Sequence, residues 1–193
     1  MNVLLIDHQD SFVYNLYQQL VTLGVRVTTL RGDATLGNAR AADPDALVLS
    51  PGPGSPADRR VTGLSQLLLA EDFASRPVFG VCLGHQLLGM LLGGRVVRAI
   101  RPVHGETALV RHEGAGIFRG VTSPFAAARY HSLVVAPRTG NREFAVTAHT
   151  TTGVPMALEA RRRPWFGVQF HPESYLTPIG DRIVANFLAE ARR

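Results

Sequence analysis

The chain has 193 residues, of which 46% are hydrophobic and 18% are charged, and it contains one cysteine. This length fits one domain whose core needs no disulfide or metal to hold it together, and a single cysteine excludes an internal disulfide. No run approaches the roughly eighteen apolar residues of a membrane-spanning helix, and Asp7 and Asp10 interrupt the N-terminus too early for a signal peptide. All 20 basic residues are arginines, scattered along the chain, and the formal net charge is only +5. We therefore expect a soluble, cytoplasmic protein that binds neither nucleic acid nor membranes.

The first half of the chain alternates short apolar runs with helical patterns. Strands are predicted at 3–6, 25–30, 46–50 and 78–81, each bounded by turn residues. Helices are predicted at 10–23, 61–72 and 83–92. The first begins with Asp10 or Ser11 as its cap and ends at Gly24, and its apolar face consists of Phe12, Leu16, Leu20 and Leu23. Such alternation predicts βαβ units and a mostly parallel sheet with helices on both faces.

After Val96 the regular alternation of strand and helix patterns ends. Up to Gln169 the apolar runs are short and interleaved with Gly, Pro and Asn, which favours a mixed or antiparallel extension of the sheet. A last helix is predicted with Thr177 as its cap and Pro178 in its first turn, and its buried stripe consists of Ile179, Ile183, Phe187 and Leu188. Arg161–Arg163 is interpreted as a solvated turn. No repeat or linker divides the chain, so one domain spanning 1–193 is expected.

Cys82 lies in the pattern Gly80-Val81-Cys82-Leu83-Gly84, at the junction of an apolar strand and a helix. The pattern is that of a nucleophile elbow, in which glycines let strand, helix and substrate approach closely around a strained residue. The N-terminus of the following helix would favour the thiolate form of Cys82, and the Leu83 N–H is a candidate oxyanion donor. A buried structural cysteine is the alternative interpretation.

Seven histidines are candidates for the base that a catalytic cysteine requires. His171 follows the apolar strand WFGVQF and precedes Pro172, which favours extended geometry before it. Residues two apart in an extended chain project to the same side, so Glu173 can hold one ring nitrogen of His171 while the other faces a thiol. This predicts a triad of Cys82, His171 and Glu173, against the alternative of a solvent-exposed His–Glu pair. His85 is the rival base, but it lacks an evident carboxylate to orient it.

A third element is the loop Ser50–Pro56, at the end of the predicted strand 46–50. Ligands of α/β sheets bind beyond the carboxyl ends of parallel strands, so this loop and the Cys82 turn are expected to line one crevice. Its prolines stiffen it, while Gly52 and Gly54 expose backbone groups. The Gly54 N–H is therefore a second candidate oxyanion donor, with a plain tight turn as the alternative.

Taken together, the chain resembles the class I, or triad, glutamine amidotransferases, and among them the small subunits of anthranilate synthase and aminodeoxychorismate synthase. Five segments carry the resemblance over nearly the whole chain, in family order: IDHQDSFVYNL (6–16), LSPGPGSP (49–56), PVFGVCLGHQLL (77–88), RYHSL (129–133) and GVQFHPES (167–174).

The resemblance implies that Cys82 attacks the side-chain amide of L-glutamine, that His171 transfers the proton to the departing ammonia, and that Glu173 orients His171. It further implies that ammonia passes to a chorismate-binding synthase subunit, and that no metal, nucleotide or flavin cofactor is needed. The glutamine contacts that it implies are Gly52, Pro53, Gly54, Gln86, Ser132 and Leu133.

The chain departs from the family pattern at Glu106, in the segment His104-Gly105-Glu106 where a basic residue is usual, and at His8 and Gln9. These departures leave the pathway open between tryptophan synthesis, favoured here, folate synthesis and a secondary-metabolite route. Phe12 and Tyr14 are candidates for a partner surface, with core packing favoured for Phe12.

Three other functions remain open from the residues alone. One is a stand-alone cysteine hydrolase or peptidase that uses the same triad. Another is a binding module without catalysis, in which the elbow is only a turn. The third is a metal site formed by Cys82, His171 and Glu173.

Overall fold

The computed structural model describes residues 1–192, which form one α/β domain. Its strands are β1 (Asn2–Asp7), β2 (Arg26–Arg31), β3 (Ala46–Leu49), β4 (Val78–Val81), β5 (Arg95–Arg98), β6 (Glu106–His112), β7 (Phe125–Arg129), β8 (Leu133–Ala136), β9 (Phe144–Thr150), β10 (Pro155–Ala160) and β11 (Trp165–Val168). Its α-helices are α1 (Val13–Thr22), α2 (Leu36–Ala41), α3 (Arg59–Ala70), α4 (Leu83–Leu91) and α5 (Gly180–Glu190), and a 3₁₀ turn spans Gly116–Phe118.

Within residues 1–192, nine strands form one sheet in the order β2-β1-β3-β4-β11-β10-β9-β6-β7. The strands from β2 to β11 in this order run parallel, and those from β10 to β7 continue the sheet in antiparallel pairing. β5 and β8 form a separate antiparallel pair. The predicted fold class, α/β with a mostly parallel sheet, helices on both faces and a mixed or antiparallel extension, is confirmed.

Side chains of the central strands point alternately to the two faces of the sheet, and this divides the core into two layers. Val3 and Leu5 of β1 pack with α1 and α5 on one face, whereas Leu4 and Ile6 pack with α2, α3 and α4 on the other. Successive side chains of a strand point to opposite faces, so a strand covered on both sides must be apolar throughout. The all-buried sequences of β3, β4 and β11 fit this rule and position the residues that follow them.

Apart from shifts of one or two residues at the ends of α1, α3 and α4, the predicted helices differ from the structure in three places. α1 begins at Val13, because Asp10 and Phe12 form a turn before it, and Val13 instead of Phe12 joins Leu16 and Leu20 in the core. α2 was not predicted, because its six residues bury only Ala39. α5 begins at Gly180, since the Thr177 hydroxyl donates to the carbonyl of His171 (2.7 Å) instead of capping the helix.

Arg161, Arg162 and Arg163 lie in an exposed bend between β10 and β11, as predicted. Within residues 1–192, no helix combines the length and apolar character needed to cross a membrane.

Candidate active site

Cys82 occupies a sharp turn between β4 and α4, with φ 51° and ψ −99°. A positive φ is uncommon for a residue with a side chain and costs free energy, so surrounding contacts must hold it in place. The Cys82 N–H donates to the carbonyl of Val168 (2.9 Å), and the Cys82 carbonyl accepts from the N–H of Gln86 (3.0 Å). This is the strained strand-to-helix elbow that the sequence predicts.

The two glycines of the elbow lie where a side chain has no space. A Cβ on Gly80 would lie 2.6 Å from the carbonyl carbon and oxygen of Gly84, and a Cβ on Gly84 would lie 2.5 Å from the carbonyl oxygen of Leu49. The absence of side chains therefore allows α4 to begin directly against β3 and β4.

His171 and Glu173 follow β11, which is the parallel neighbour of β4. His171 Nδ1 lies 2.6 Å from Glu173 Oε1, and both side chains are almost completely buried. The backbone of His171 is anchored to β7, because its N–H donates to the carbonyl of Ala128 (3.0 Å). The predicted pairing of His171 with Glu173 is confirmed, and the pair is buried, not solvent-exposed.

The other ring nitrogen of His171, Nε2, is buried and has no hydrogen-bond partner within residues 1–192. Cys82 lies close enough to act on the charge of this ring. Burial alone would lower the pKa of His171, but the interactions with Cys82 and Glu173 outweigh it and raise that pKa to about 10. A protonated imidazole is therefore favoured between Cys82 and Glu173.

Gln169 contributes a contact that the sequence analysis missed. Its side chain is completely buried, and its Nε2 donates to Cys82 Sγ (3.6 Å). An amide donor stabilises a thiolate more than a thiol, because hydrogen bonds to charged acceptors are stronger. The two residues are 87 positions apart in the chain, so no local pattern could indicate this contact.

A cavity of about 160 Å³ opens beside Cys82. Its lining includes all six residues predicted to contact the substrate: Gly52, Pro53, Gly54, Gln86, Ser132 and Leu133. Tyr130 and His131 complete it. Leu83 is buried as the first residue of α4 and does not line the cavity, so its role as an oxyanion donor stays a prediction.

A chain of hydrogen bonds fixes the wall of this cavity at Leu133. The Leu133 carbonyl accepts from Gln86 Nε2 (3.1 Å) and lies 3.0 Å from His131 Nδ1. Arg129 Nε donates to His131 Nε2 (3.1 Å), which requires that nitrogen to be unprotonated and places the proton of the neutral ring on Nδ1. Burial, together with the charge of Arg129, lowers the pKa of His131 to about 4 and keeps the ring neutral.

The remaining candidates have other places in the structure. His85 packs against Gly167 of β11 and does not line the cavity, and burial lowers its pKa to about 3. His8 is buried between the carbonyl of Ser50 (3.0 Å) and the hydroxyl of Ser65 (2.8 Å), where it supports the loop after β3.

Phe12, predicted to pack in the core, instead contacts the rings of Tyr130 and His171, with centroids 5.1 and 5.5 Å away. Its place just before the start of α1 explains the difference, because the turn at Asp10 directs it toward the site and leaves the core position to Val13. Tyr14 is 75% exposed.

A family model for class I glutamine amidotransferases matches residues 4–191 of the chain. The chain belongs to this family. Residues 1–192 of this amidotransferase contain no group of three or more His, Cys, Asp or Glu side chains arranged to hold a metal ion.

Two curated relatives match the amidotransferase over nearly their whole length. It is 45% identical to aminodeoxychorismate/anthranilate synthase component 2 of Bacillus subtilis, over 99% of this chain and 97% of the relative. It is 44% identical to aminodeoxychorismate synthase component 2 of Escherichia coli, over 96% and 98%. A crystal structure of a glutamine amidotransferase from Thermotoga maritima shares the fold, with a TM-score of 0.76 at 14% identity over 100% of this chain and 99% of that one.

Proposed function

We propose that the chain is the glutaminase subunit of a chorismate-aminating synthase, hydrolysing L-glutamine and supplying ammonia to the synthase subunit. The observation that carries this proposal is the buried His171–Glu173 pair, whose imidazole interacts with Cys82 beside the small cavity. The relatives support the kind of partner, since they are components of synthases named for anthranilate and aminodeoxychorismate. We favour anthranilate synthase in tryptophan synthesis. Aminodeoxychorismate synthase is the second candidate, because the Bacillus subtilis relative carries both names.

The reaction begins with the Cys82 thiolate, whose sulfur attacks the side-chain amide carbon of glutamine. The carbonyl oxygen becomes an oxyanion, for which the N–H groups of Leu83 and Gly54 are the proposed donors. His171 then gives a proton from Nε2 to the amide nitrogen, the carbon–nitrogen bond breaks, and ammonia leaves a thioester on Cys82. Glu173 keeps the imidazole oriented and stabilises its charge throughout.

Water completes the cycle. His171, now neutral at Nε2, removes a proton from a water molecule as its oxygen attacks the thioester carbon. The carbon–sulfur bond breaks, glutamate is released, and the thiolate–imidazolium pair is restored. The balance requires only glutamine and water, and a reducing compartment such as the cytoplasm keeps the cysteine available.

Gln86 is the side chain best placed to distinguish glutamine from other amides. Its amide nitrogen donates to the carbonyl of Leu133 and to Gln169 Oε1 (3.2 Å), so both of its donor hydrogens are used inside the protein. Its remaining acceptor oxygen would suit the α-ammonium group of glutamine. Backbone groups of Gly52, Ser132 and Leu133 are the proposed contacts to the rest of the substrate.

The test combines the purified chain with a chorismate-binding synthase from the same genome. Glutamate release and the aminated product are measured with glutamine and, separately, with ammonium. We expect glutamine-dependent product only when both proteins are present, and Cys82→Ser to abolish it while ammonium-dependent synthesis persists. Hydrolysis of peptides unaffected by the synthase would favour the stand-alone hydrolase, and loss of both syntheses in Cys82→Ser would contradict the division of labour.

A further inference from the structure

A groove of about 680 Å³, larger than the cavity beside Cys82, lies outside the site described above. Its walls are the segment 97–103, parts of β6 and β7, and the turn between β9 and β10 at 150–155. We call it the β6 groove. Its lining is mainly apolar, and Val97, Ile100 and Leu109 are three of the eight large hydrophobic side chains exposed within residues 1–192. Exposed apolar side chains clustered in one concave surface indicate an interaction site.

The β6 groove also carries an unbalanced positive charge. Arg98, Arg101 and Arg129 line it with a single acid, Glu106, which pairs with Arg101 (2.8 Å). Arg129 is only partly exposed, and it forms no ion pair with a carboxylate in residues 1–192. A partner that covers the groove would therefore gain from a carboxylate placed against Arg129.

The groove is joined to the cavity beside Cys82 through the backbone. The N–H of Ala99 donates to the carbonyl of Ser132 (2.8 Å), and that of Val103 donates to the carbonyl of His131 (3.1 Å). Arg129 lines the groove and also holds His131, which in turn holds the carbonyl of Leu133 at the cavity wall. A molecule seated in the β6 groove therefore contacts residues that are hydrogen-bonded to the segment that the substrate is proposed to bind.

We infer that the β6 groove is the docking surface for the synthase subunit, and that its occupant is an apolar segment of that subunit bearing a carboxylate opposite Arg129. The inference rests on the proposed function. Ammonia released at Cys82 must reach the synthase without escaping, so the synthase must cover a face adjoining the cavity. The β6 groove is an apolar surface hydrogen-bonded to the cavity wall, and its excess positive charge favours an acidic occupant.

The test measures the affinity of the purified chain for the synthase by titration calorimetry. The double variant Ile100→Ser/Leu109→Ser removes two exposed apolar side chains of the groove. The control, Val21→Ser/Leu67→Ser, removes two exposed apolar side chains outside the groove, on α1 and α3. We expect the groove variant to bind roughly tenfold more weakly or worse, because desolvated apolar anchors carry much of such binding, and the control to bind like the parent chain.

The positive charge of the groove is tested separately with Arg129→Gln. The control is Arg26→Gln, which removes an exposed arginine on β2. We expect Arg129→Gln to weaken binding and to reduce its dependence on salt, whereas Arg26→Gln does neither. Circular dichroism and thermal unfolding of each variant verify that it is folded.

Parent-like affinity of the folded Ile100→Ser/Leu109→Ser variant would overturn the docking surface while leaving the proposed function intact, provided the parent still makes product from glutamine. Sedimentation that shows the groove variant losing self-association at unchanged synthase affinity would assign the groove to a second copy of the chain and also overturn the inference. Absence of glutamine-dependent product with the parent chain would instead contradict the proposed function itself.

Discussion

Gly84→Ala is the sharpest test of the elbow. An added Cβ would lie 2.5 Å from the carbonyl oxygen of Leu49 and 2.6 Å from its Cβ, whereas ordinary contacts begin at 3.4 Å. The start of α4 must therefore move by roughly 1 Å away from β3, because a carbonyl oxygen and a Cβ cannot move without moving the backbone. Overpacking of this kind costs about 1–3 kcal/mol of unfolding free energy, and a 1 Å displacement of a reacting group costs about a hundredfold in rate.

Gly63→Ala in α3 is the matched control, because its new Cβ would have no neighbour closer than 4.0 Å. Helix propensity alone stabilises such a substitution by about 0.5–1 kcal/mol. Thermal unfolding should therefore separate the variants, with Gly63→Ala raised and Gly84→Ala lowered by about 2–4 °C per kcal/mol. Glutamine hydrolysis with the synthase present should fall only in Gly84→Ala. If Gly84→Ala matched Gly63→Ala in both measurements, close approach of α4 to β3 would not be what the elbow requires.

Three further predictions concern the charges of the site and the buried histidines. Glu173→Gln should lower the pKa of His171 and reduce kcat/KM for glutamine roughly tenfold to a hundredfold, because a hydrogen bond to a charged group contributes about 1.5–3 kcal/mol. An unchanged NMR titration of His171 would contradict this prediction. Gln169→Glu places a carboxylate oxygen near the sulfur, so alkylation of the single cysteine by iodoacetamide should slow about tenfold; equal slowing in the exposed Gln18→Glu control would refute a local effect. Burial lowers the pKa of His85 from 6.5 to about 3, so its contribution to stability is present above pH 6.5 and is lost as the pH falls toward 3. Urea unfolding between pH 7 and 5 should therefore depend on pH less steeply in His85→Asn than in the parent, by about 1 kcal/mol per pH unit on average, and identical slopes would exclude this cause.

Local patterns explain why the catalytic half of the fold could be predicted. β3, β4 and β11 are short, apolar throughout and bounded by turn residues, and the glycines around Cys82 indicate a tight turn between strand and helix. Parallel strands bring their carboxyl ends to one edge of a sheet, so the elbow and His171 had to lie near each other once β4 and β11 were neighbours. The partner of His171 was predictable because it lies only two residues away.

The features that were missed depend on contacts distant in the sequence or on competition for one polar group. Threonine is a common helix-capping residue, but the Thr177 hydroxyl donates to the His171 carbonyl and accepts from the Ala128 N–H (2.9 Å). It is therefore not available to cap α5, which begins later. In the sequence, Gln169 lies within a predicted apolar strand and has no distinguishing neighbour. Only the folded structure shows that its side chain contacts Cys82. α2 buries too little apolar surface to produce a helical pattern.

The two sides of the candidate site differ in how firmly they are held. Cys82, Gln169 and His171 follow central parallel strands that are buried on both faces, so their positions are set by the densest part of the core. The opposite wall, at His131 and Leu133, lies outside the central parallel strands and is held by hydrogen bonds near the surface, one of them from the partly exposed Arg129. A protein bound at the β6 groove therefore acts on the substrate wall more readily than on the nucleophile, because moving the nucleophile would require disturbing the core of the sheet.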